Sequence, residues 1–231
     1  MNDTTLHTGY GGTGALDAQR NRVLRNTYWL LALSLVPTVL GAWAGVSLGF
    51  SFFAGSPLIG FLVFMGVAFG FFFAIEKFKN SGVGVALLLG FTFFMGLMLS
   101  RLVGQVLGLS NGANLIMTAF AGTGLIFLGM ASLSSVIKRD LSSMGKFLFV
   151  GAIMLMVAGI ANVFLQSSAL MITLCVLAIG IFSAFILYDL KRVQDGEETN
   201  YITATLGVYL SLFNVFQALL MLLGIGGGRE E

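Results

Sequence analysis

Apolar residues run along this chain in seven long stretches, separated by short polar or charged links. The stretches cover about Thr27–Gly49, Pro57–Ile75, Ser81–Ser100, Asn114–Ile137, Phe147–Leu165, Ala169–Tyr188 and Tyr201–Leu223. Each is near the ~20 consecutive apolar residues that a helix needs to cross the hydrocarbon core of a bilayer. They are continuous, not ten-residue pieces alternating with period two, which argues against a transmembrane β-barrel. The pattern predicts an all-α integral membrane protein with seven transmembrane helices over residues 27–223. A flexible cytoplasmic tail, residues 1–26, is expected before them, and a short C-terminal tail, residues 224–231, after them. Pro37 falls inside the first span, where neighbouring helices tolerate the lost backbone donor. Pro57 falls where a proline suits the first turn of a helix. The seventh stretch is open to two readings, a full span or a re-entrant segment.

Composition strengthens this picture. Hydrophobic residues make up 57% and charged residues 10%, with mean hydropathy +0.96, whereas soluble domains carry about 25% charged residues. A water-soluble chain of 231 residues could not hide so much apolar surface, because folded domains leave much of their surface exposed. The first 26 residues are polar, and the first apolar run begins too late and runs too long for a signal peptide, so it is expected to be retained. Cys175 is the sole cysteine, which rules out a disulfide within the chain and a cysteine zinc site. The sole histidine, His7, lies in the polar tail. No basic stripe with interleaved aromatics points to nucleic acid. No nucleophile–base pair, phosphate loop or metal-ligand cluster is visible, so neither catalytic residues nor a cofactor are assigned.

Charge placement orients the chain. If the N-terminus is cytoplasmic, Arg20, Arg22, Arg25, Lys77, Lys79, Lys138, Arg139, Lys146, Lys191 and Arg192 all fall inside, leaving only Arg101 and Arg229 outside. That is ten of the twelve basic residues on one side, as the excess of Lys and Arg in short cytoplasmic loops requires. Glycine is abundant, with 31 residues, and some lie four apart: Gly41/Gly45, Gly66/Gly70 and Gly104/Gly108. Such spacing is read either as close helix packing or a dimer face, or as ordinary glycine use in membrane helices.

Ionisable groups inside spans are functional candidates because they are costly there, and few exist here. Glu76, beside Lys77 and Lys79, is expected to face water, and Arg101 to snorkel to the interface. Asp189 ends the sixth stretch, where a carboxylate opposes the helix dipole. Either Lys191 and Arg192 compensate it, or it turns into the bundle toward a polar group on another helix. Ser211, Asn214, Gln217 and Ala218 form one stripe of the seventh stretch, with Ser211 and Asn214 near mid-span. Asn162 is a further buried polar candidate. The plainer role for all of these is interhelical hydrogen bonding, at about 0.6 kcal/mol per contact.

The run from Tyr188-Asp189 through Gly196-Glu197-Glu198-Thr199-Asn200-Tyr201-Ile202 to Tyr209-Leu210-Ser211-Leu212-Phe213-Asn214-Val215-Phe216 resembles the Bax-inhibitor (transmembrane Bax inhibitor motif) family. It looks closest to the bacterial YccA-like branch. Phe73-Ala74-Ile75-Glu76-Lys77 and Asn80-Ser81 add to the likeness. The resemblance implies a bundle in which the last helix is central, wrapped by the other six. In members that act as channels it implies a pair of aspartates forming a pH-sensitive latch for calcium leak. Asp189 matches the first, but Ser211 stands at the second, so the two-carboxylate latch is absent and like-charge coupling with it. For the YccA-like branch the resemblance implies a bacterial inner-membrane protein that modulates a membrane-anchored AAA protease of the FtsH type, engaged through the N-terminal tail. The alternative is a cation leak, of calcium or protons, gated through Asp189.

Overall fold

The computed structural model of the chain describes residues 11–50 and 57–227, with side chains described for 18–50 and 59–227. Secondary structure among the described residues is helical throughout: α1 (Gly11–Ser47), α2 (Pro57–Phe78), α3 (Gly82–Leu107), α4 (Gly112–Val136), α5 (Met144–Leu165), α6 (Ser168–Asp195) and α7 (Tyr201–Gly227). All seven are long and apolar enough to cross a membrane. The shortest, α2 and α5, have 22 residues each, about 33 Å at ~1.5 Å per residue, against a core of ~30 Å. Large apolar side chains point outward along them, among them Phe164 at 80% exposure and Phe147 at 78%. Water would penalise that surface, whereas lipid matches it. The chain is a seven-helix integral membrane protein.

Hydropathy misplaces several helix ends. α1 starts at Gly11, not near Thr27, so residues 11–26 are helical. Tertiary contact explains this: Val23 is buried in a cluster with Val193 and Ala204, and Leu24 packs against it. The remaining tail, residues 1–10, the link at 51–56 and residues 228–231 lie outside the described residues. α3 continues to Leu107, so Arg101 is an exposed residue within the helix. α6 runs on to Asp195, past the apolar run that ends at Tyr188. Lys191 and Asp195, four apart, pair at 2.5 Å and help that polar extension stay helical.

α7 is the interior helix. It packs against α1, α2, α3, α4 and α6, whereas α5 leans on α6 alone. The expected wrapping by six helices is therefore a wrapping by five. The fully buried Ile202, Val208, Tyr209, Val215 and Leu220 all lie on α7. Its first turn is tied to Lys79 and Asn80 in the α2–α3 link, while Gly227 at its other end lies beside Leu115 and Asn111 in the α3–α4 region. α7 thus runs the length of α3, a full span and not a re-entrant one.

The closest helix crossing joins α1 to α3. A methyl group at Gly41 would overlap the carbonyl oxygen of Phe93, and one at Gly45 the side chain of Ser100. Reciprocally, one at Gly96 would overlap the carbonyl of Thr38 and approach the Ala42 nitrogen to 2.9 Å. Among the described residues nothing lies within 4 Å of a methyl at Gly66 or Gly70, so that pair packs against none of them. Beside the crossing, the Tyr209 hydroxyl meets the Thr38 hydroxyl at 2.8 Å and lies 3.4 Å from the Thr92 carbonyl. One side chain of α7 thereby links α1 and α3.

Candidate functional site

The site grows from the tight turn between α6 and α7. Gly196 ends α6 with φ +80°, a left-handed conformation that glycine adopts without steric penalty. Asn200 opens α7: its Oδ1 accepts the backbone N–H groups of Ile202 at 2.9 Å and Thr203 at 3.3 Å, satisfying donors that a helix start leaves unpaired. Its Nδ2 donates to the Lys79 carbonyl at 3.0 Å and to Asn80 Oδ1 at 2.8 Å. A single side chain therefore caps α7 and fastens it to the α2–α3 link.

That turn sets the register of the two helices. Asp189 and Gly207 lie at equal distances in sequence from it and meet. A methyl group at Gly207 would stand 3.0 Å from Asp189 Oδ2 and 3.3 Å from its Cγ. Asp189 is partly buried there. Ser211 and Asn214 continue the Gly207 stripe four and seven residues on. Ser211 is buried, but among the described residues no hydrogen bond joins Asp189 to Ser211 or Asn214. Four residues of helix rise put Ser211 about 6 Å further along α7. Asn214 Nδ2 donates instead to the Leu210 carbonyl in its own helix, at 2.8 Å. The structure brings Asp189 onto the predicted stripe, opposite its glycine and not its hydroxyl.

Asp189 is also not at a helix end, because α6 continues beyond it to Asp195. Of the two cations expected to compensate it, Lys191 pairs with Asp195, while Arg192 attracts Asp189 and Glu198 repels it. Arg192 further lies over the Tyr188 ring, 5.6 Å from its centre, with Nε 3.6 Å from Glu197 Oε2. The Tyr188 hydroxyl sits against Gly145 of α5. A carboxylate in this position can exchange a proton, whereas calcium is held by six to eight oxygens. Among the described residues no group of three or more His, Cys, Asp or Glu stands together.

The other sequence candidates fall outside the site. Glu76 pairs with Lys79 at the exposed end of α2. Asn162 is buried and accepts the Ser167 N–H through Oδ1 at 3.0 Å, closing the α5–α6 turn where Gln166 adopts φ +49°. Gly207, Asn200 and Tyr209 are the residues that sequence reasoning missed. Gly207 lies four residues before Ser211 on the same stripe, a signal that was present. Asn200 precedes an apolar run, as a helix cap does.

Seven apolar helices, five of them packed about an interior α7, with the partly buried Asp189 facing Gly207 in the α6–α7 hairpin, define a polytopic membrane protein. The family described as "Inhibitor of apoptosis-promoting Bax1" matches residues 20–228, and this chain belongs to it. An uncharacterized Neisseria meningitidis protein is 37% identical over 228 residues, 97% of this chain and 96% of the relative. A Vibrio cholerae relative, named an uncharacterized membrane protein, is 36% identical over 212 residues, 92% of this chain and 93% of its own. The Escherichia coli K12 protein named "Modulator of FtsH protease YccA" is 33% identical over 204 residues, 88% of this chain and 90% of its own.

Proposed function

We propose that this protein is a bacterial inner-membrane modulator of a membrane-anchored AAA protease, with its N-terminus in the cytoplasm. The observation that carries the reading is the similarity to YccA, named a modulator of FtsH protease, over nearly the whole of both chains. A second supports it: α1 begins at Gly11, well before the apolar run that starts near Thr27, so its first turns, with Arg20 and Arg22, extend the helix beyond the length a span needs. With 37 residues it is about 55 Å long, against a ~30 Å core. The extension lies at the end of the bundle holding ten of the twelve basic residues. The test is deletion of residues 2–10 from the full chain. Co-purification with the protease and slowed degradation of a membrane substrate should both be lost while the protein stays folded in the membrane. Unchanged capture and inhibition would refute the tail as the contact. Orientation has its own readout: with Cys175→Ser as background, Ser142→Cys should resist an impermeant thiol reagent in intact spheroplasts and react after lysis.

A second reading is a cation leak gated through Asp189. It is favoured by a partly buried carboxylate that rests on the α7 backbone at Gly207 with no hydrogen-bond partner among the described residues. Liposome flux with a calcium dye decides it, comparing mildly acidic with mildly alkaline buffer. Flux that is absent, or indifferent to Asp189→Asn, rules it out.

A further inference from the structure

Among the described residues, one side of α1 has no helix beside it. α1 and α4 both lean on α6 and α7 but, among the described residues, share no backbone contact with each other, and the edge-on rings of Tyr28 and Phe127, 5.9 Å between centres, bridge them. Asn21, Leu24, Arg25, Tyr28, Trp29 and Ala32 of α1 line an open groove of about 470 Å³. A second space of about 340 Å³ adjoins it, bounded by Arg20, Asn21, Leu24 and Gln194. Gln194 donates to the hydroxyls of Ser134 at 2.8 Å and Ser135 at 3.3 Å, which fastens the floor of that space to α4.

The lining changes along the helix in the order that a phospholipid does. Asn21 and Arg25 are exposed and polar at the basic end of the bundle, and Arg25 makes no ion pair among the described residues. One turn deeper come Tyr28 and Trp29, the latter 73% exposed. These are the amphipathic rings that settle at headgroup level. Ala32, a further turn along, is small and faces outward, leaving room for an acyl chain against the apolar wall. Charge decides the headgroup. A guanidinium presents planar donors that match a phosphate, and the end it occupies holds most of the protein's cations.

We infer that the groove on α1 facing α4 is a binding site for an anionic phospholipid, whose headgroup phosphate is held by Arg25 and Asn21 and whose chain lies along Trp29 and Ala32. The site is separate from Asp189 and independent of any protease partner. One interfacial cation is expected to favour an anionic over a zwitterionic lipid by about fivefold.

Tryptophan fluorescence tests this directly, because the chain has two tryptophans, Trp29 and Trp43, and both lie on α1. In a Trp43→Phe background, Trp29 reports alone. The full chain is reconstituted in vesicles in which part of the lipid is brominated, either the phosphatidylglycerol or the phosphatidylcholine. Brominated phosphatidylglycerol should quench Trp29 beyond its mole fraction. Arg25→Gln should bring the two lipids level, while Arg25→Lys should keep part of the preference. Arg25 is exposed, so neither change disturbs the packing, and an unaltered melting temperature in detergent checks this. Equal quenching by both lipids in the parent overturns the proposal. So does a preference for phosphatidylglycerol that survives Arg25→Gln.

Discussion

Gly96 offers a sharp test of how the bundle is held together. Replacing it by alanine puts a methyl group into the backbone of α1, overlapping the Thr38 carbonyl and 2.9 Å from the Ala42 nitrogen. Ordinary contact begins near 3.4 Å, so the helices must part by at least about 0.5 Å at Ala42, and by more at Thr38. Neither obstacle is a flexible side-chain end that can swing aside. A gap of 0.5–1 Å forfeits roughly a quarter to a half of each dispersion contact, at ~0.1–0.2 kcal/mol per atom pair. Over on the order of 30 pairs along the crossing, the loss is about 1–2 kcal/mol, within the usual ~1–3 kcal/mol cost of overpacking. The Tyr209–Thr38 contact beside the crossing would loosen with it. Gly66→Ala is the matched control, since nothing lies within 4 Å of the added methyl, and helix propensity there favours alanine by up to ~1 kcal/mol. The expected outcome is that Gly96→Ala unfolds earlier than wild type in a thermal or SDS titration in detergent, while Gly66→Ala does not. Equal stability of the two variants would refute the reasoning that backbone contact, not glycine content, sets the α1–α3 distance.

Further outcomes follow from the same geometry. Tyr209→Phe removes the hydroxyl that reaches Thr38 and Thr92 and should cost about 1 kcal/mol, from two contacts at the ~0.6 kcal/mol average for interhelical membrane hydrogen bonds. A cycle with Thr38→Val checks it, the double variant losing less than the sum of the singles. Asn200→Ala strips the cap from α7 and two bonds to the α2–α3 link. It should cost about 1–2 kcal/mol and speed hydrogen exchange in the first turn of α7. In the α4–α5 link, the backbone N–H of Ser142 donates to Asp140 at 2.8 Å. That bond, with help from the Ser142 hydroxyl and the Lys191 charge, holds the carboxyl below its usual 3.8. A depressed carboxylate stabilises the fold above pH ~4 and loses that contribution as pH falls through the lowered value. Melting temperature should therefore fall in acid less steeply for Asp140→Asn than for wild type, and identical profiles would discount the contact.

Solvent, element type and the number of elements were all legible in the order of the residues. Seven apolar runs in a chain with 10% charged residues admit only helices in lipid, since each span must satisfy its own backbone hydrogen bonds. The charge pattern also separated one end of the bundle from the other. Helix ends were less legible, because hydropathy records what a residue is and not what it touches. Polar residues 11–26 read as a tail, yet Val23 and Leu24 meet Val193, Ala204 and Tyr201 from distant parts of the chain.

The candidate site was half legible in the same way. Asp189 stood out because a carboxylate at a span's end is costly, and the Ser211/Asn214 stripe because its period is helical. Which residue of the stripe the carboxylate would meet depended on the α6–α7 register, set by Gly196 and by the bonds of Asn200 to Lys79 and Asn80, far away in sequence. Tertiary structure therefore decided that Asp189 rests on Gly207 and not on Ser211. It likewise decided which glycines matter: Gly41, Gly45 and Gly96 meet backbone or Ser100, while Gly66 and Gly70, spaced like Gly41 and Gly45, meet nothing among the described residues. Spacing along one helix places residues on a face, and only the packing of a second helix determines what that face touches.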